Sequence, residues 1–569
     1  MNAPEKNLRR EALYLFIAVA IALAAAGRSL WQGGIPAGHD ALEYPVRLAE
    51  FMMNLKAGIL FPAWAPDLSD GYGQPFFIFN PPMSYYLAAI FNFLGFSLAA
   101  SWNAMALATL CMMAVFMYLF AREYYPGRGA LLASALYVCA PYTLCEIYVR
   151  SALAEFLAMA WLPLCFLAAK KTVENRKTRF AALLSISTML LLLTHNPAAL
   201  ICVPFLALYV IYLSVANKTW RGLFRSAGAG LAGIGLSAYF LLPVFFEKHL
   251  IQVEQLRSDS VLEYANHFLY ASQWIVPNWQ YGLSVPGIND GMPFQIGIVH
   301  LIAIGCAVIG LFPARKKHPA MFSAFVFFAA AALLSLFMTH HFSKFIWDRI
   351  AALQYMQFPW RFLVFTAFGA AMLGGAAVLL LERAGGAFPA IAFAVALVVV
   401  LAFPHARGAK SLTLDDHRFS AGNIARQGLS ATTRREYRPA DAPARLPFRH
   451  SLIELQDAQV KIISRKPNEL TARIESPESG WGLIRQFHFP GWRLWINGKP
   501  AELKVDRVTG AMTFPVQTGG NDLHLRYVGT RLQRIGKMIS LILALSGFLF
   551  VIVFRLPRLR SVRTGRDRL

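Results

Sequence analysis

Long apolar runs separated by short polar connectors dominate the chain. Runs near the roughly 20 residues that cross hydrocarbon as a helix recur from Leu13 through Phe554. Twelve are read as spans: residues 13–30, 103–121, 128–145, 153–169, 180–194, 199–216, 226–245, 294–312, 320–338, 361–381, 388–404 and 537–554. Another apolar stretch, residues 82–98 (PMSYYLAAIFNFLGFSL), is introduced by a double proline and suits an interfacial or re-entrant helix. Near the C-terminus the period changes. From Gln459 onward come the short alternating segments QVKIISR, ELTARIE, GLIRQFHF, WRLWI, AELKV and DLHLRYV, the two-residue rhythm of half-buried strands. Asn497-Gly498 after WRLWI is a two-residue hairpin signal.

Composition agrees with lipid as the solvent: 57% hydrophobic and 15% charged residues, with mean hydropathy +0.46, exclude an ordinary soluble chain. The net charge of +23 would suit nucleic acid if it lay on one surface. Instead it sits in connectors: Lys170, Lys171, Arg176, Lys177 and Arg179; Lys218, Arg221 and Arg225; Arg315, Lys316 and Lys317; and a tail from Arg555 to Arg568. By the positive-inside bias these loops are cytoplasmic, which excludes a nucleic-acid partner and places both termini inside a bacterial cytoplasmic membrane. A crossing at residues 82–98 would turn the first basic cluster outward. Lys6, Arg9 and Arg10 before the first run resemble a signal peptide, but Arg28-Ser29-Leu30 is a poor cleavage site, so the run is read as a retained span.

The expected fold is an α-helical polytopic membrane protein of about 12 spans with a C-terminal extracytoplasmic β-sandwich or jelly-roll-like domain. Residues 1–404 form the multi-span domain, with a large first outer loop at 31–102 and another at 247–293. Residues 405–536 form the outer domain, an irregular connector to 447 and β-rich from about 459, and residues 537–569 the final span and basic tail.

Candidate chemistry gathers on the predicted outer face. His39, Asp40 and Glu43 open the first loop, where a carboxylate meets the head group of a lipid-linked substrate; Asp40 equally suits the N-cap of a helix over residues 41–54. Trp64, the Gly71-Tyr72-Gly73-Gln74-Pro75 stretch and Tyr85-Tyr86 are read mainly as interfacial packing. The short second loop carries Glu146, Arg150 and Glu155, ionisable groups at a bundle mouth that are either functional or a structural pair. His195 ends one span and opens the next, as an end cap or a substrate contact. Arg361 starts a span, either binding phosphate or snorkelling. No Walker loop, dinucleotide fingerprint, HExxH or CxxC is present.

The order of these features resembles the GT-C glycosyltransferases: one outward span, an early-loop acid in Gly38-His39-Asp40, a Pro-Pro-x-x-Tyr-Tyr helix and a short acidic second loop. Within them the chain looks most like the YfhO-type bacterial membrane proteins, through Gly71-Tyr72-Gly73-Gln74-Pro75, Tyr148-Val149-Arg150 with Glu155, Gln357-Phe358-Pro359-Trp360-Arg361, Phe489-Pro490-Gly491-Trp492 and Ile496-Asn497-Gly498. Its front half is also similar to membrane proteins related to pyruvoyl-tetrahydropterin synthase, without that soluble enzyme's histidine zinc site.

The resemblance implies transfer of a sugar from a polyprenyl-phosphate-linked donor to an envelope glycan, lipid or protein acceptor. It implies Asp40 as general base, His39, Glu43, Glu155 and His195 around the substrates, and Arg150 and Arg361 on the leaving phosphate. A divalent cation, Mg or Mn, is a possible cofactor, although the early-loop acids depart from the usual paired spacing. Two other readings stay open: a non-catalytic envelope scaffold with a polysaccharide-binding β domain, and a lipid-linked-sugar transporter. Ionisable groups at span ends, not at mid-membrane, disfavour transport.

Overall fold

The computed structural model describes residues 3–563 apart from 260, 384–386, 433 and 448–450. Each of the twelve apolar runs is helical over most of its length. Seven helices are long and apolar enough to cross a membrane, Leu98–Ala121 to Arg531–Leu549 in chain order, and an eighth span results if Trp220–Leu236 and Ala238–Phe246 count as one. That pair bends by 77° at Ser237, beyond a glycine-rich stretch, a usual site for a sharp kink. Thr178–Leu192, Ile298–Ala314 and Pro389–His405 are apolar but shorter. Length and composition therefore support fewer crossings than the expected twelve. The helix at Met83–Phe93 has 11 residues and rises only about 16 Å, too little to span. The end of the basic tail, Arg566 and Arg568, lies outside the described residues.

The loops sort to two ends. At one, Arg122 pairs with Glu11 at 2.9 Å, Lys171 with Glu123 at 2.7 Å, and Arg225 donates to the Asn175 carbonyl at 2.7 Å. Lys171 and Arg225 of the first two basic clusters thus lie at this end, where Arg122, next to Glu123, meets the N-terminal helix. At the other end the first loop, the second loop, residues 247–293, residues 339–360 and the C-terminal domain bond to one another. Strand β1 (Ile35–Pro36) pairs with β2 (Ser411–Leu412), tying the first loop to an otherwise mostly irregular connector.

The C-terminal domain is a pair of antiparallel sheets. One has the order β3 (Ile453–Glu454), β6 (Gly480–Phe487), β10 (Ala511–Val516), β9 (Lys504–Val505). The other runs β4 (Gln459–Lys466), β5 (Glu469–Ser476), β11 (Gly519–Tyr527), β7 (Trp492–Ile496), β8 (Lys499–Ala501). Alternate residues of β5 are buried, as one apolar face requires. Ile496 pairs with Lys499 around Asn497 and Gly498, both at positive φ, the tight turn that the Asn-Gly pair signals.

Trp64 and Tyr72 of the first loop are not at the membrane interface but in a protein core. Trp64, Tyr72, Ile78 and Phe79 share a buried cluster with Ile474, Phe487, Phe489, Trp492 and Leu525 of the β domain. Trp64 meets Trp492 edge-on at 5.3 Å, and Phe487 N donates to the Tyr72 carbonyl at 2.7 Å. A Cβ at Gly73 would stand 2.3 Å from Trp64 Nε1, so only glycine lets this loop fold onto its own tryptophan. Arg465 of β4 pairs with buried Asp67 at 3.2 Å. The physical reason for the correction is that the β domain's core is completed by loop side chains some 400 residues away in sequence.

Removing the Trp64 indole costs about 3–5 kcal/mol where a core is left with a cavity. In Trp64→Ala, protease should therefore cut residues 430–447 faster in the detergent-solubilised protein while the helical signal is unchanged. Equal cleavage rates in variant and wild type would refute the shared core.

Candidate functional site

The helix Gly127–Val138 breaks at Cys139-Ala140 and resumes at Pro141–Tyr148, with proline at the first position of the new turn, where its missing N–H is harmless. The chain then reverses through Ser151 at φ 55° into the helix Leu153–Glu174. This hairpin brings Glu146, Arg150 and Glu155 together. Arg150 Nη1 donates to both Glu146 carboxylate oxygens at 2.6 Å and to Glu155 Oε2 at 2.7 Å. Tyr142 donates to Glu155 Oε1 at 2.8 Å. Arg361 Nε lies 3.4 Å from Glu155 Oε2, and His195 Nε2 4.0 Å from the same oxygen. The Trp360 ring covers the Arg150 guanidinium at 4.6 Å.

All four charged residues are buried, and two carboxylates balance two guanidinium groups. Burial of such charges is tolerable only when each is paired. Burial works against the charge on Arg150, but Glu146 and Glu155 outweigh it and hold the guanidinium above its ordinary range. The Arg150 to Glu155 pair and the His195 cap are thus both present: His195 Nδ1 accepts from Ala198 N at 3.3 Å. Burial pushes the His195 imidazole down to about 3; Glu155 opposes this and the two arginines add to it. Arg361 does not snorkel. It is buried beside Glu155 and donates through Nη1 to the Met356 carbonyl at 2.9 Å.

The first loop is stitched onto this cluster through its backbone. His39 N donates to the Val149 carbonyl at 3.2 Å and Asp40 N to the Arg150 carbonyl at 2.9 Å. A Cβ at Gly38 would fall 2.3 Å from Ser151 Oγ, so the close approach requires glycine. The His39 ring reaches the Gly282 carbonyl at 3.0 Å, so that nitrogen carries the proton. Burial and the Arg150 charge lower its pKa, against the pull of Asp40.

The capping role of Asp40 is corrected. The helix begins at Glu43, after Leu42, with no side-chain cap, and the Asp40 backbone is tied to Arg150 across the loops. Its carbonyl, not its carboxylate, takes the Glu43 and Tyr44 amides at 3.2 Å. Among the described residues the half-buried Asp40 carboxylate has no ion pair and no hydrogen bond, although it is felt electrostatically by Arg47 and His39. Glu43 turns elsewhere: it pairs with Arg47 at 2.5 Å, and Arg47 Nε donates to the Ala431 carbonyl at 2.6 Å.

The structure brings Arg150, Glu155, His195 and Arg361 of the sequence candidates into one place, with His39 and Asp40 at its edge and Glu43 apart. Sequence reasoning missed Arg47, Tyr142 and Trp360 as partners. The i,i+4 spacing of Glu43 and Arg47 was a usable signal; nothing local marks Tyr142. Among the described residues no three His, Cys, Asp or Glu side chains gather as a metal would require, and Glu43, Glu146 and Glu155 already answer arginines. The residues present do not fit a divalent cation.

Glu155→Gln leaves Arg361 without its carboxylate, a loss of about 3–5 kcal/mol for a broken buried pair. Its melting temperature in detergent should fall, and Glu155→Gln with Arg361→Gln should recover part of the loss; an unchanged melt would contradict the burial. His195 adds a pH dependence. Its folded pKa lies below the ordinary 6.5, so its contribution is complete above about pH 6.5 and is lost as pH falls toward about 3. Melts across that window should flatten in His195→Asn, which keeps a capping oxygen.

An uncharacterized protein of Lactococcus lactis subsp. cremoris is 22% identical over 248 residues, 42% of this chain and 40% of that one, so the match spans less than half of either. Two solved structures share 72% and 71% of this chain: the arabinofuranosyltransferase AftD from Mycobacteria (TM-score 0.44, 14% identity, 28% of its length) and an oligosaccharyltransferase of Archaeoglobus fulgidus (TM-score 0.43, 13% identity, 56% of its length). The sequence profile of a membrane-protein family, described as the 6-pyruvoyl-tetrahydropterin synthase related domain, matches residues 77–413. That range holds the second loop, His195 and Arg361, and the chain belongs to this family of membrane proteins.

Proposed function

We propose that the protein is a glycosyltransferase of the bacterial cytoplasmic membrane, moving a sugar from a polyprenyl-phosphate carrier to an envelope glycan, lipid or protein on the outer face. The observation that carries this reading is the Asp40 carboxylate, unpaired among the described residues and fixed at the mouth of the bundle by its own backbone bond to Arg150. A general base must be ionised and within reach of the proton it takes. Every other carboxylate of the site is held by an arginine.

In this scheme the acceptor hydroxyl attacks the anomeric carbon, its proton passes to Asp40, and the bond from that carbon to the phosphate oxygen breaks with its electrons leaving on the carrier phosphate. Arg361 is the residue assigned to that phosphate. It holds one carboxylate at 3.4 Å, whereas Arg150, gripped by two at 2.6–2.7 Å, positions the loop that holds Asp40. Glu155 and His195 orient Arg361; His39 fixes the loop at residue 282. Sidedness supports the reading, since the basic connectors and the site occupy opposite ends of the bundle.

With purified protein and a polyprenyl-phosphate sugar, Asp40→Asn should slow release of free carrier phosphate by about 10²–10⁴-fold while its melt matches wild type. Full turnover in that variant, or reporter fusions that place residues 31–102 in the cytosol, would sink the proposal.

A further inference from the structure

We infer that the outward face of the four-stranded sheet is a saccharide-binding groove, separate from Asp40 and the ion cluster, which holds a stretch of glycan chain. Strand register builds it. Glu454 stands opposite Leu483, Leu483 opposite Thr513, and Thr513 opposite Lys504, so one row crosses all four strands on a single face. In the adjoining row Trp481 stands opposite Pro515.

Between Gly480 and the inward-facing Gly482, Trp481 is 47% exposed. A Cβ at Gly482 would meet the Phe514 ring at 2.6 Å; the core beneath is therefore filled, and the indole is held on the outer side. A groove of about 660 Å³ opens there, with Trp481, Leu483 and Thr513 on its floor and Ser451, Glu454 and Gln456 among its walls.

A sugar ring has a C–H face and a rim of hydroxyls. A large aromatic that is apolar in its body suits the first, and a few convergent amide, hydroxyl and carboxylate groups suit the second. Gln456 can both give and accept, Thr513 and Ser451 likewise, and Glu454 accepts from neighbouring hydroxyls. Lys504 Nζ, now 4.1 Å over the indole, is an exposed contact that a stacked ring displaces. The edge strand β3 also lines the groove, so a peptide adding there as a strand is the competing occupant, while the exposed indole on the groove floor favours the sugar. Binding stands on these residues alone; the identity of the glycan as acceptor or product rests on the glycosyl-transfer reading.

The test is retention of the full-length protein in nanodiscs on an array of oligosaccharides from bacterial envelope polysaccharides, with unrelated peptides alongside. At least one saccharide should be retained. Trp481→Ala should weaken that binding about tenfold, as loss of a central aromatic does, and Gln456→Ala should weaken it less; both side chains lie outside the core, and matching melts check the fold. No saccharide held at about 1 mM, wild-type affinity in Trp481→Ala, or retention of peptides in place of sugars would overturn the groove. Saccharide retention lost in Trp481→Ala but without carrier-phosphate release would overturn the transfer reading and leave the groove standing. Release without retention would do the reverse.

Discussion

Arg150 is a cation enclosed by protein at the end of an apolar bundle, and the layout of the site follows from keeping it neutralised. An unpaired ion there would carry a desolvation penalty of several kcal/mol. Two carboxylates are needed because one guanidinium nitrogen faces both Glu146 and Glu155. Glu155 then carries excess negative charge, which Arg361 balances from another span. Three separate helices are thereby fixed relative to one another by charge as well as by packing. The backbone that Arg150 leaves outside the cluster, its own carbonyl and that of Val149, becomes the ledge on which His39 and Asp40 rest.

The β domain serves the same end from the other side. Its core joins Phe487, Phe489, Trp492, Phe514 and Tyr527 of the domain to Trp64 and Tyr72 of the first loop, which complete it. The loop is therefore clamped twice, at residues 38–40 by the second loop and at residues 64–79 by the β domain, with the helix Glu43–Lys56 between the clamps. A loop held at both ends loses little further entropy when a substrate orders it, which suits a residue that must stand at a fixed distance from a reacting atom.

How much of this was legible in the sequence depends on how local the cause is. The apolar runs, the alternating strands after Gln459 and the Asn497-Gly498 turn are set by periods of a few residues, and each reappears as an element. The Glu146 to Arg150 contact is also local, at i,i+4. The helix start was misplaced because the deciding bond, Asp40 N to the Arg150 carbonyl, spans 110 positions of chain. The aromatic loop was misassigned to the membrane interface for a similar reason: Trp64 would be equally at home beside lipid head groups, and only the fold shows Trp492 against it. Span number is harder still, because bends such as that at Ser237 divide an apolar run without changing its composition.

The structure also divides roles among acids that look equivalent along the chain. Glu43, Glu146 and Glu155 each meet an arginine, so oxygens of all three are already engaged. Asp40 has no such contact among the described residues, and its carboxylate oxygens are open. A base is useful when its charge is kept and its lone pairs are open. Of these four carboxylates Asp40 alone leaves its lone pairs open among the described residues, a placement set by its backbone bond to the Arg150 carbonyl.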